Sequence, residues 1–109
     1  MNFSLDLINL ADSVDLDHLM PLTKLLVWTT HSLYRFVVGK DADVSVQGGT
    51  FFPDTTSADL VAARLGRRRL RAGWICVGLP MEIAVAGRLV VTSPVHGIIA
   101  EPPGASTVH

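Results

Sequence analysis

Gly73-Trp-Ile-Cys-Val-Gly-Leu-Pro-Met-Glu-Ile-Ala-Val-Ala-Gly-Arg-Leu-Val-Val-Thr-Ser-Pro-Val-His-Gly-Ile-Ile99 is a series of apolar, β-branched runs cut by Gly78-Leu79-Pro80, Ala86-Gly87 and Ser93-Pro94. Within it, Met81, Ile83 and Val85 fall on one face and Glu82 and Ala84 on the other, the period of a half-buried strand. Gly87 is free to take a positive φ, so Ala86-Gly87 predicts a tight reversal and Arg88–Thr92 the returning strand. Val95–Ala100 follows as a last short strand after a turn at Ser93-Pro94. The stretch therefore decides for a β fold.

Upstream, Leu25–Thr30 is rich in strand formers, and His31-Ser32 makes a tight connection into Leu33–Val38. The polar loop Gly39–Asp43 then pairs Leu33–Val38 with Val44–Gln47 as a second hairpin. Gly48-Gly49 bends the chain before Thr50-Phe51-Phe52, and Pro53-Asp54 ends that strand. Residues 4–20 space Leu5, Ile8 and Ala11, with Leu7, Leu10 and Val14, as a helix would. Ser4 is the candidate N-cap, with Asp6 near the positive helix end, and Pro21 is the stop. A second short helix is expected over Ala58–Leu65, capped by Ser57 or Thr56 and stopped by Gly66, the competing reading being an irregular loop pinned by Leu60, Leu65 and Leu70. Residues 101–109, with paired prolines, Gly, Ser and Thr, have nothing to bury and read as a disordered tail. The organisation predicted is a helical arm over 1–21, a β domain over 22–100 and that tail.

Short strands in meandering order behind one helix suggest a mainly β fold: a small barrel, resembling the SH3-like barrels in its strand–turn–strand ending, or a compact β-sandwich. The pieces Thr29-Thr-His-Ser-Leu-Tyr-Arg-Phe, Gly48-Gly-Thr-Phe-Phe-Pro, Gly78-Leu-Pro-Met-Glu-Ile and Thr92-Ser-Pro-Val-His-Gly-Ile resemble a group of short uncharacterised bacterial β-domain proteins. That resemblance covers about Leu22–Ile99. It implies a bacterial, cytoplasmic β-domain and carries no activity or site residue across.

A chain of 109 residues buries roughly 60–70% of its unfolded surface. Its net charge of −1 supplies no global pull toward nucleic acid or anionic membrane. Cys76 is the single cysteine, which excludes an internal disulfide framework and fits a reducing cytoplasm. The opening Met-Asn-Phe-Ser-Leu-Asp has no basic segment, so no signal peptide is expected. No apolar run approaches the ~20 residues of a membrane helix, and no membrane partner is expected. The charge is nevertheless uneven. Asp6, Asp12, Asp15 and Asp17 crowd the first segment, and Arg64, Arg67, Arg68, Arg69 and Arg71 crowd the middle.

Those five arginines are the strongest candidate site, because planar guanidinium forks suit phosphate or carboxylate. Phosphate contacts of this kind supply most non-specific nucleic-acid affinity, and Trp74 and Phe51, with Phe52, offer stacking surfaces if they lie beside the cluster. The competing readings are a solvated basic face, or pairing with the N-terminal aspartates within or between subunits. Among the other chemistry-bearing residues, His18, His31, His96 and His109 lack helical metal-site spacing, and no metal or other cofactor is expected. Cys76, between Ile75 and Val77, reads as a buried structural thiol. Ser57 and Ser93 have no nucleophile motif, and Gly48-Gly49 is not a phosphate loop.

Finally, both faces of several strands are apolar: Tyr34, Phe36 and Val38 oppose Leu33 and Val37, and Leu89 and Val91 oppose Val90. The second face must then be covered by the helix, by barrel closure or by another copy, and homo-oligomerisation follows naturally. The function expected first is a non-catalytic, self-associating binding or assembly module forming a dimer or larger homo-oligomer. Nucleic acid or an acidic partner on the arginines is the alternative, and a small enzyme built from His31, His96 and a carboxylate at a subunit interface is the third.

Overall fold

The computed structural model describes residues 9–41 and 43–104. They form β1 (Asn9–Ala11), β2 (Ser13–Asp15), a 3₁₀ turn (Leu16–His18), β3 (Lys24–Thr29), β4 (Leu33–Val38), β5 (Asp43–Gly48), β6 (Phe52–Leu65), β7 (Arg68–Ala72), β8 (Trp74–Cys76), β9 (Met81–Val85), β10 (Arg88–Val91) and β11 (Val95–Glu101). Nine strands make one antiparallel sheet in the order β1-β11-β3-β4-β5-β6-β9-β10, with β7 also on β6; β2 and β8 make a second, two-stranded sheet. The mainly β expectation holds, and both hairpins read from the sequence are present. In the β9–β10 turn, Ala86 joins Gly87 at positive φ (49° and 79°), the type I′ geometry whose twist matches the flanking strands.

Alternation explains the core. Leu25 and Val27 on β3, Tyr34, Phe36 and Val38 on β4, and Val44 and Val46 on β5 are buried with Leu60, Ile83, Val90 and Ile98. Each such side chain contributes on the order of 1.5–3 kcal/mol by leaving water. The opposite face of β3, β4 and β11 carries half-buried Leu26, Trp28, Val37 and Ile99. Trp28 lies on the backbone of Gly97, where a Cβ would stand 2.1 Å from the indole Cζ2. A glycine inside a strand here marks close approach by a cross-strand aromatic.

A closed barrel is not found. The link Thr92–Pro94 joins β10, at one end of the sheet order, to β11 near the other end. The sheet must therefore curl until Val91 and Val95 are within about 14 Å. The gap is bridged by loop backbone rather than by a ladder. The Gly78 N–H donates to Val95 O (2.7 Å), and the Val95 N–H donates to Leu79 O (3.0 Å).

The N-terminal helix is the second correction. Its first residues lie outside the described ones; from residue 9 onward the chain forms β1, β2 and the 3₁₀ turn. Val14 and Leu16 are two apart with Asp15 between them, a strand period, and Val14 pairs with Ile75. Leu16, 2% exposed, enters the core, and its N–H donates to Gly73 O. Asp15 Oδ1 accepts the Asp17 N–H at 3.0 Å, so this aspartate serves the turn backbone.

The helix expected over 58–65 is likewise absent. That segment lies in β6, whose strand also runs through Pro53 rather than ending there. Its alternation is legible afterwards: Ala58, Leu60 and Ala62 are buried and Asp59 is exposed. Helix-forming alanines were overridden by pairing on both edges of the strand. Asp59 pairs with Asp43 of β5 and Ala84 of β9, and Ala62 pairs with Ala72 of β7 and Glu82 of β9. Thus β5 and then β7 share one edge of β6, and β9 takes the other. Of the expected tail, residues 101–104 are described, with Glu101 the last residue of β11; the remainder lies outside the described residues.

Candidate functional site

β6 and β7 form a hairpin that turns at Gly66-Arg67 and places Arg64 opposite Arg69 and Leu65 opposite Arg68. On the far edge of β6, Glu82 of β9 stands across from Ala62. This register brings one carboxylate within reach of two guanidinium groups. Arg69 Nε donates to Glu82 Oε1 at 2.6 Å, and Arg64 Nη1 lies 3.3 Å from Glu82 Oε2. The Glu82 side chain is 1% exposed, against 33% for Arg64 and 57% for Arg69. A buried carboxylate therefore holds two partly open arginines from beneath, with both of its oxygens engaged. Arg64 is tied further by its Nε–H, which donates to Gly66 O at 2.9 Å.

Arg64, Arg67, Arg69, Glu82 and Leu89 line an open cleft of about 480 Å³. Arg67 and Arg68 are exposed beside it and make no ion pair among the described residues. Arg64, Arg67 and Arg69 thus share the cleft with one carboxylate, and with Arg68 exposed nearby the described residues here carry an excess of positive charge that the chain's overall charge of −1 conceals. Held forks of this kind suit an oxyanion, because less side-chain freedom is lost on binding.

The other predicted residues fall elsewhere. Arg71 is on β7, and its side chain is outside the described ones. Trp74 is half-buried on β8, across from Asp15 in the small sheet. Phe51 is exposed just before β6, at the opposite end of that strand from Arg64, a path of about 40 Å at the rise of an extended chain. Phe52 is buried. Among the described residues no aromatic side chain lines the arginine cleft, and neither Trp74 nor Phe51 is part of its wall. Of the aspartates expected to pair with the arginines, Asp6 lies outside the described residues; the acid that meets Arg64 and Arg69 is Glu82, which the sequence does not single out as their partner. No local signal announces this, since the pairing depends on the β6–β9 register.

His31 and His96 do reach the same corner. Thr30 Oγ1 is 2.9 Å from His96 Nε2, the His31 N–H donates to Ser93 Oγ, and Ser93 Oγ donates to Thr29 Oγ1 at 2.8 Å. Both histidines are exposed, and no carboxylate bonds either ring among the described residues. No group of three His, Cys, Asp or Glu residues is placed to hold a metal among those residues. Cys76 is half-buried, not fully buried as expected, with Sγ 3.6 Å from Val77 O. The inward residue of that strand is Ile75.

A second concavity of about 460 Å³ lies on the outer face of β11, β3, β4 and β5, over Leu26, Val37 and Ile99, with Arg35, Gln47 and Glu101 among its polar residues. No helix of the described residues is long and apolar enough to cross a membrane. Comparison of the chain with known protein families, with curated proteins and with solved structures finds no match.

Proposed function

We propose that the chain is a non-catalytic binding module that takes phosphate-bearing anions at the arginine hairpin. The observation that carries this reading is the Glu82 clasp. One buried acid orients Arg64 and Arg69, yet the exposed Arg67 and Arg68 beside them make no ion pair among the described residues. Phosphate binding by arginine forks needs no aromatic platform, which agrees with the place of Phe51 at the far end of β6 and of Trp74 in the small sheet.

Inorganic polyphosphate is the probe, since it presents phosphate without bases or lipid. Binding is expected to weaken with salt, with a log–log slope no steeper than about −0.9 per neutralised phosphate, hence about −4 for four arginines. Arg67→Glu combined with Arg68→Glu is expected to lower affinity at least about tenfold. Trp74→Ala and Phe51→Ala leave affinity unchanged. Absence of binding by the unaltered chain at low salt sinks the reading.

Self-association is a second reading, favoured by the apolar strip of Leu26, Trp28, Leu33, Val37 and Ile99 on the outer sheet face, where Leu33 is 39% exposed. Light scattering is expected to give a mass above that of one chain, returning to one chain in Leu33→Asp. A monomer at every concentration of the unaltered protein removes it.

A further inference from the structure

Apolar side chains stand in the open at the arginine hairpin and on the nearby strand β10. Leu65, 52% exposed, sits at the hairpin turn between Arg64 and Gly66-Arg67-Arg68. Leu89, 45% exposed, lines the same cleft as Arg64, Arg67 and Arg69. Val91, 42% exposed, lies across the ladder from Glu82. The Cβ position at Gly66 has no heavy atom within 4 Å, so this turn points into open solvent. Exposed aliphatic groups near Arg67 and Arg68, which make no ion pair among the described residues, make an amphipathic surface, in which the cationic and apolar parts ask for one ligand that offers both complements.

Resting on the phosphate reading above, we infer that the phosphates this site meets are lipid headgroups, and that the β6–β7 turn docks on an anionic bilayer surface. The headgroup layer supplies anions at the level of the guanidinium groups and an apolar layer just beneath for Leu65 and Leu89. Arginine suits this position because its aliphatic stem lies along apolar surroundings while the fork stays at the phosphates. Nucleic acid is the weaker fit: single strands are gripped by aromatic faces, and the cleft has none among the described residues, while exposed leucines gain little from a phosphate backbone. A peripheral contact needs no membrane-spanning segment. The expectation of no membrane partner followed from the lack of a long apolar run, which bears only on spanning segments, and from the overall charge, which averages away this local excess.

Vesicle co-sedimentation of the full chain tests the inference, with vesicles of phosphatidylcholine alone, vesicles of phosphatidylcholine mixed with phosphatidylglycerol, and polyphosphate and an oligonucleotide in parallel. The unaltered protein is expected on the mixed vesicles, not on phosphatidylcholine alone, and to be released by high salt. Leu65→Ser is expected to lower vesicle binding roughly fivefold while leaving polyphosphate binding intact, a split that misfolding does not produce. Arg67→Glu with Arg68→Glu lowers both at least about tenfold. Binding to polyphosphate or oligonucleotide without vesicle binding overturns the bilayer and leaves the phosphate reading standing. Equal binding to both kinds of vesicle, or no effect of Leu65→Ser on the mixed vesicles, also overturns the bilayer inference. Binding to none of the probes overturns both readings.

Discussion

Glu82 is the residue on which the arginine end depends. At 1% exposure its carboxylate is cut off from bulk water, and Arg64 and Arg69 supply its compensation. Arg69→Ala leaves Arg64 in place, so the expected loss of stability is modest, about 1–2 kcal/mol. Arg64→Ala with Arg69→Ala leaves a buried charge alone, an expected loss of about 3–5 kcal/mol. The double variant therefore exceeds the sum of the single ones, as groups sharing a partner do. Urea denaturation of the three variants measures this; small additive losses would mean that water re-enters around the carboxylate. The chemistry of the site was half legible at this scale. Arginines at 64, 67, 68 and 69 announce themselves in any reading, and Glu82 was visible as the polar residue on its strand face. Their meeting was not visible, because it joins residues 13 and 18 positions apart through cross-strand register.

Among the elements, the β9–β10 hairpin shows the sequence signal at its clearest. Alternating residues, an Ala-Gly break and a returning apolar run each pointed to the same structure. One detail is strained: Ala86 takes φ 49°, a left-handed conformation that costs an L-residue with a simple Cβ roughly 1 kcal/mol. Ala86→Asn, a residue at ease in that position of a type I′ turn, is expected to raise stability by about 0.5–1 kcal/mol. It should move the urea midpoint upward with an unchanged slope; a fall in the midpoint would show that the methyl group makes a contact worth more than the strain. The two helices expected at 4–20 and 58–65 failed, where described, for a shared reason. Alanine, leucine and a glycine stop favour helix locally, but β6 has hydrogen-bonding neighbours on both edges, and β2 has β8. Tertiary pairing outweighs local propensity when both are weakly expressed in a short window.

At the scale of the molecule, strand content and the antiparallel order of β3, β4 and β5 were open to a reader of the sequence, because each connection is a few residues long. Closure was not, since it depends on which loop reaches the gap beside β11, and Gly78-Leu79 carries no mark that it bonds to Val95. The apolar second face was read correctly at Leu33, Leu89 and Val91, all of them exposed. Those residues now divide between two regions: Leu33 belongs to the outer sheet strip, and Leu89 and Val91 to the arginine side. The two regions hang on one long strand. Because β6 binds β5 and β7 along one edge and β9 along the other, no single cleavage of the chain yields fragments that each retain a complete set of backbone partners. Heat should accordingly dissolve the basic turn and the β3–β5 meander in one all-or-none event, with neither half persisting as an independently ordered remnant.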